Sequence, residues 1–421
     1  MSARSVELGL RENKAQFALL LAINALVGAM VGLERSTLPL IGEDEFGLTS
    51  SAAVLSFIVA FGLAKSLTNL GAGAMAERVG RRRLLIAGWA LALPVPLLIA
   101  LAPSWGWIVA ANAFLGVNQG LAWSMTVVMK VDLVGPERRG LALGLNESAG
   151  YGGVALAAAA SGWLAGELVA RDVLVVGGLA VATAGLIASV VFVRDTARHV
   201  GLEQARVQGE SRATAPRLRD AFRAASFRVP ALRACSQAGL VNNLNDALAW
   251  GLVPLFLAGE GATPGQIGLV AGIYPAAWGV GQLWTGHWSD TVGRKPLIVA
   301  GMLVQAAGLS LLAGSGGVVP AAAVAAAVLG AGTALVYPTL IAAISDAVSP
   351  VARATTVGVY RFWRDMGYVA GGLLVGVVAD QIDFAGAVAL VACLTALSGI
   401  VVAVELPSRS GLPSRGIRGS N

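Results

Sequence analysis

The sequence predicts an all-α integral membrane protein, with twelve transmembrane helices laid out as a duplicated six-helix unit. Three observations lead there. Hydrophobic residues make up 56% of the chain and charged ones 13%, about half the charged share of an ordinary soluble domain, so most of the surface must face lipid. Apolar windows of about 20 residues, each long enough to cross the hydrocarbon core of a bilayer, recur along the whole length. One charged, glycine-centred stretch, AERVGRRR at 76–83, is echoed by SDTVGRKP at 289–296.

Taken in order, the first six windows fall near 15–40, 50–72, 83–102, 105–130, 141–165 and 172–193. The second six fall near 234–258, 266–287, 296–314, 319–343, 354–379 and 384–404. The first begins near Lys14 without an A-x-A cleavage site and reads as a retained span. Residues 194–233 carry nine arginines against four acids. They read as a cytoplasmic linker, with the helical pattern RLRDAFRAASFR lying on the anionic lipid surface. The organisation is thus a first six-helix bundle at 1–193, the linker at 194–233, a second bundle at 234–405 and a cytoplasmic tail at 406–421.

Charge placement sets the orientation. Lysine and arginine gather in the two tails, the linker and alternate loops. The opposite loops hold Arg171 beside Glu43, Asp44, Glu45, Glu167, Asp172, Glu260, Asp380 and Asp383. The positive-inside rule then puts both termini in the cytoplasm. The net charge of +6 reports topology, not nucleic-acid binding. Cys235, Cys393, His199 and His287 lack any metal or disulfide spacing. No Walker loop and no G-x-S-x-G occurs, so neither a metal, a cofactor nor an enzyme activity is expected. The 26 arginines against 4 lysines, with abundant Ala and Gly, point to a GC-rich bacterial genome and hence a bacterial cytoplasmic membrane.

The repeated stretch joins spans 2 and 3 and, again, spans 8 and 9. Glu77 and Asp290 are 213 positions apart, as are Gly80 and Gly293, so the loop recurs in register and marks a duplication. This pattern resembles the signature loop G-x-x-x-D-R-x-G-R-R/K of the major facilitator superfamily. Gly73, Glu77, Arg78, Gly80, Arg81 and Arg82 match in the first half, with Glu for Asp. Gly286, Asp290, Gly293, Arg294 and Lys295 match in the second, with Thr291 for Arg. The resemblance covers everything but the tails. It implies two pseudo-symmetric six-helix bundles around a cavity that opens alternately to either side, with spans 1, 4, 7 and 10 lining it and 2, 5, 8 and 11 flanking it. The signature loop would act as a latch on one closed state. Two departures stand out: Asn112 where many proton-coupled members carry arginine, and Gly150-Tyr151-Gly152-Gly153 where many exporters carry G-P-x-x-G-G.

A charge at membrane depth costs about 2.5–3.5 kcal/mol, so the eight within predicted spans carry functional expectations. They are Arg35, Lys65, Arg361 and Arg364 with Glu34, Glu147, Asp246 and Asp365. LERSTLPL at 33–40 is similar to a segment common in superfamily exporters, and Glu34 becomes a candidate proton carrier. The alternative is a helix-end pair of Glu34 and Arg35 at the membrane edge. Asn112, Gln119, Trp123 and Thr126 in span 4, and Asn242, Asn245 and Asp246 in span 7, form polar stripes at helical spacing. With Tyr337 they read as a substrate path, against the alternative of hydrogen bonds that glue the bundle. The resemblance places span 11 beside span 2, so Lys65 and Asp365 are expected to pair across the two halves, as a gate or as a static pair, with Glu147, Arg361 and Arg364 as further charge-pair candidates. Trp123, Trp250, Trp278 and Trp284 are candidates for an aromatic pocket, against the commoner use of tryptophan at membrane interfaces. The partners expected are the lipid bilayer, a small-molecule substrate and protons, with the protein working as a monomer.

Overall fold

A computed structural model describes residues 7–135, 139–207 and 216–407. Every regular element among them is helical, and they form twelve long segments. Span 1 is Lys14–Arg35 continued by Leu38–Asp44, span 2 Ser51–Val54 with Ser56–Val79, and span 3 Arg81–Ala90 with Pro94–Ala100. Spans 4, 5 and 6 are Trp105–Val134, Arg139–Ala165 and Ala170–Val191. Span 7 runs Pro230–Ala247, through a π-helical turn at Leu248–Leu252, into Val253–Gly259. Spans 8 to 12 are Pro264–Thr291, Arg294–Ala313, Val319–Ala347, Pro350–Gln381 and Phe384–Glu405. The interrupted spans 1, 3 and 7 restart on Pro39, Pro94 and Pro254. Proline fits there because its missing N–H falls where a helix start has no partner for one.

Seven of the described segments are long and apolar enough to cross a membrane on composition alone: spans 1, 2, 3, 6, 9, 10 and 12. The other five, spans 4, 5, 7, 8 and 11, carry most of the buried polar side chains discussed below. They can be less apolar because much of their surface meets protein instead of lipid.

Within the first half, span 1 packs on span 5 and span 2 on span 4; within the second, span 7 packs on span 11 and span 9 on spans 10 and 12. Two seams join the halves: span 5 against span 8, and span 2 against span 11. Glycine sets how close these seams come. A methyl group on Gly162 would sit 2.5 Å from the Cα of Gly268, and one on Gly376 2.5 Å from the Cα of Ala52. Further along the same helices, Gly272 abuts the Ala155 carbonyl and Gly62 abuts Tyr368. Gly140 and Gly286 on one seam, and Gly73 and Gly358 on the other, face open space. The same four helices therefore pack most closely toward the end away from the termini, and the glycines in their last turns toward the termini meet no neighbour.

The outer end is clasped by polar groups as well. Asp380 on span 11 accepts hydrogen bonds from Ser50 Oγ (2.6 Å), the Ser51 N–H (2.6 Å) and the Ala52 N–H (3.2 Å) of span 2. Partial burial works against its ionisation, yet these donors outweigh that and hold the carboxyl below the usual aspartate range.

Both copies of the signature loop adopt one geometry. Gly80 has φ +96° and Gly293 φ +106°, the left-handed region that side chains avoid, which is why the glycine recurs. The next residue then reaches span 4 or span 10 of its own half: Arg81 Nε lies 2.9 Å from Asp132 and Arg294 Nε 2.9 Å from Asp346. Arg82 donates to the Val190 and Val193 carbonyls at the end of span 6. Arg294 also pairs with Asp290 at 2.6 Å. Arg78 is exposed and Lys295 half-buried, while the side chain of Glu77 lies outside the described residues. In the linker, Leu218–Arg223 and a π turn at Ala224–Arg228 form the expected helix. It is tied to span 11, where Trp363 Nε1 donates to Ser226 Oγ (2.8 Å) and Phe222 meets Phe362.

Candidate functional site

Side chains of both halves meet in a buried polar cluster. Asp246 on span 7 is fully buried and accepts hydrogen bonds from the hydroxyls of Tyr274 on span 8 and Tyr368 on span 11, the latter at 3.1 Å. Immediately beyond it the π turn inserts an extra residue into the helical register. That turn carries Trp250, which stacks on Tyr368 with ring centroids 5.8 Å apart and planes 14° apart.

Against the other face of this pair lies Arg35, the last residue of the first helix in span 1. Its guanidinium carbon sits 4.7 Å from the centre of Phe61, 4.9 Å from Trp250 and 5.7 Å from Phe57. It is wholly buried, and all three of its nitrogens lack a hydrogen-bond partner among the described residues. Neighbouring helix positions face different directions, so Glu34 points elsewhere. It lines a small recess among spans 1, 3 and 6, with Pro96, Leu174 and Gly178, and has Asn112 beside it. Glu34 is therefore inside the first bundle. Glu34 and Arg35 do not form a helix-end pair at the membrane edge.

Lys65 on span 2 lies over Phe61 (5.2 Å), Tyr368 (5.3 Å) and Trp123 (5.9 Å). Its expected pairing with Asp365 is also corrected. Asp365 takes Arg364 as its ion pair at 2.5 Å and accepts from Asn243 (3.4 Å) and, across the seam, Asn69 (2.5 Å). An amide, not the ammonium, carries the cross-seam contact. Arg364 also donates to the Tyr337 hydroxyl. Arg361 reaches across to Ser124 Oγ at 3.4 Å.

The polar stripes divide. Gln119 donates to the Val27 carbonyl and Thr126 to Asn24, so both knit span 4 to span 1. Asn112 bonds within its own helix, to Ile108, and Asn242 reaches Asn243 at 3.4 Å. Asn245 donates to Gln305 on span 9 and accepts from Thr395 on span 12. It faces spans 9 and 12, a further correction, since a stripe at i, i+3 and i+4 says which residues are neighbours but not which way the helix is turned.

An aromatic cluster crosses the other seam, that of spans 5 and 8. Tyr151 stacks on Trp278 at 3.5 Å, flanked by Trp123 (5.2 Å) and Tyr337 (6.1 Å). Trp284, by contrast, is exposed on the outside of the second bundle. Glu147 accepts from Trp123 Nε1 (3.0 Å) and from Asn146 (2.9 Å), and thus orients this cluster. Sequence reasoning missed Lys130, which ends the predicted fourth span and is not among the eight intramembrane charges. It is fully buried on span 4, bonded to the Leu20 carbonyl and within electrostatic reach of Glu147. It also missed Asn69, Tyr274 and Tyr368, which carry no charge to mark them.

The arrangement is two helical bundles with buried titratable groups where they meet, and comparison with known proteins agrees. The family model described as the Major Facilitator Superfamily matches residues 15–243 and 236–419. An uncharacterised MFS-type transporter, STM4428 of Salmonella typhimurium, is 24% identical over 393 residues, covering 88% of this chain and 92% of that protein. The inner membrane transport protein YnfM of Escherichia coli is 26% identical over 156 residues, 37% of each chain, so the match spans little more than a third of that relative. Two matches that together run from span 1 through span 12, one for each half, assign the family: this chain belongs to the Major Facilitator Superfamily of membrane transporters.

Proposed function

We propose that the protein is a proton-coupled secondary transporter that exports a small organic compound across a bacterial cytoplasmic membrane, with both termini cytoplasmic. The observation that carries this reading is the uneven packing of the two seams. Spans 2, 5, 8 and 11 pack closely at the end away from the termini, while glycines in their last turns toward the termini meet no neighbour, as one state of an alternating-access cycle would require. The substrate would enter from the cytoplasm and meet the aromatic wall of Trp123, Tyr151 and Trp278. Asp246 is held by Tyr274 and Tyr368 of its own half, and Tyr368 packs on Phe61 of the other half at 5.4 Å. Opening of that seam would uncover the Asp246 site and so couple its protonation to the rocking of the halves. Glu34, buried between spans 1, 3 and 6, is the second proton candidate. The signature loops, each anchored to its own half, would re-form a latch when the terminal side closes.

Flux into proteoliposomes under an imposed pH gradient tests this. Asp246→Asn should abolish gradient-driven transport while leaving downhill exchange measurable, and Glu34→Gln should reduce it. Intact gradient-driven flux in both variants would remove the coupling assignment. Exchange of an organic or inorganic anion is the second reading, favoured by the unpartnered Arg35; Arg364 adds little to it, being answered by Asp365.

A further inference from the structure

We infer that Arg35, Lys65 and the indole N–H of Trp250 form a receptor for the carboxylate of an organic anion with an aromatic or otherwise apolar body. This names a substrate class for the cavity and so rests on the transporter reading above.

Donors without acceptors converge here. The three guanidinium nitrogens of Arg35 and Nε1 of Trp250 are buried and have no hydrogen-bond partner among the described residues. A buried, unanswered guanidinium is costly, and a site that keeps one is suited to an anion that arrives with its own acceptors. Lys65 adds a second cation on the same ring, because Arg35 and Lys65 both lie over Phe61, at 4.7 and 5.2 Å. The acids within electrostatic reach of Arg35 are Glu34 and Asp246. Glu34 faces its own recess, and Asp246 is occupied by two tyrosine hydroxyls.

The guanidinium fork matches a carboxylate's two oxygens. The apolar body follows from what surrounds the donors. Phe57, Phe61 and Trp250 enclose them. Trp250 and Tyr274 also wall a small apolar recess among spans 7, 8, 9 and 10, lined by Val253, Leu257, Val270 and Leu329. A small inorganic anion would leave that apolar surface unused. A lipophilic cation would meet two like charges. The site also joins the halves, Arg35 and Lys65 from the first and Trp250 from the second, so an occupant would bear on the seam that opens.

The test is calorimetric titration of the full-length protein in nanodiscs at neutral pH, with no ion gradient. The probes are 2-naphthoate, its methyl ester and tetraphenylphosphonium. The acid should bind saturably, and both the ester and the cation at least about tenfold more weakly, the scale of one charge-assisted hydrogen bond. Arg35→Met should weaken naphthoate by at least about tenfold. Lys65→Met and Trp250→Phe, which keeps a ring and removes only the N–H, should each cost about threefold. Trp250→Phe carries the test if Arg35→Met does not fold. Equal binding of acid and ester, unchanged affinity in the foldable variants, or no saturable binding of the acid overturns the inference. Acid-selective binding without gradient-driven flux would instead count against coupled export and leave this site standing.

Discussion

Arg364 and Arg35 are both buried guanidiniums at the meeting of the two halves, yet their surroundings are opposite. Arg364 is answered by the Asp365 carboxylate at 2.5 Å and by the Tyr337 hydroxyl. Through Asp365 it is linked to Asn69 in the other half. Arg35 meets three ring faces and no acceptor among the described residues. A charge that is paired where it lies holds a structure together. A charge that is left open raises the energy of the empty site and makes room for a ligand. The comparison teaches that charge at membrane depth is no single signal; its partners decide whether it is architecture or site.

The largest expected effect breaks the paired side. Asp365→Ala leaves Arg364 buried without its carboxylate and Asn69 without its cross-seam acceptor. Loss of one partner in a buried pair costs about 3–5 kcal/mol, so thermal unfolding in detergent should show a fall of many degrees. Replacing the pair together, Arg364→Met with Asp365→Leu, should recover a large part of that loss. A double variant as unstable as the single one would mean that the hydrogen bonds from Asn69 and Asn243 matter more than the ion pair.

How much of this contrast was legible in the sequence follows from what helical periodicity carries. The signature loops were legible because spacing alone put Gly80 and Gly293 in register, and the positive φ at both explains the residue type. The eight charges were found because each is conspicuous in an apolar run. Their partners were not legible, since periodicity places residues on a face without saying what the face meets. Asn245 turned out to face spans 9 and 12, Glu34 and Arg35 point apart, and Lys65 yielded Asp365 to Asn69. The π turn at Leu248–Leu252 further shifts the register that carries Trp250, which a regular helical wheel does not contain. Lys130 was lost for a different reason: it sits near the end of its span, where a lysine is ordinarily solvated.

The open side of the comparison should respond with the opposite sign. Arg35→Met keeps an unbranched side chain of similar reach and removes a buried charge without a partner. The folded protein should be unchanged or gain about 1 kcal/mol or more, while binding of an organic carboxylate is lost. Measured by the same thermal unfolding, this separates Arg35 from Arg364. A loss of several kcal/mol in Arg35→Met would place both arginines in the architectural class.

The smallest effect sharpens the comparison by moving to the exposed end of the same seam. Asp380 clasps span 2 through Ser50, Ser51 and Ala52, but it does so in water, where such contacts are worth under about 1 kcal/mol. Its carboxyl is held below the ordinary aspartate range in the clasped state. The clasp is therefore fully present above the free carboxyl value of about 3.9. It is lost as pH falls through the lower, clasped value. Spin labels at Asp44 and Ile382, on the outer ends of spans 1 and 11, would report the seam directly. In the native chain the short-distance population should hold from pH 7 down to about 4 and then shrink. In Asp380→Asn that population should be reduced by a small factor already at pH 7, and its acid dependence over this range should flatten. If the variant keeps the native acid response, another carboxylate governs the outer end, and Asp380 only caps the helix that begins at Ser51.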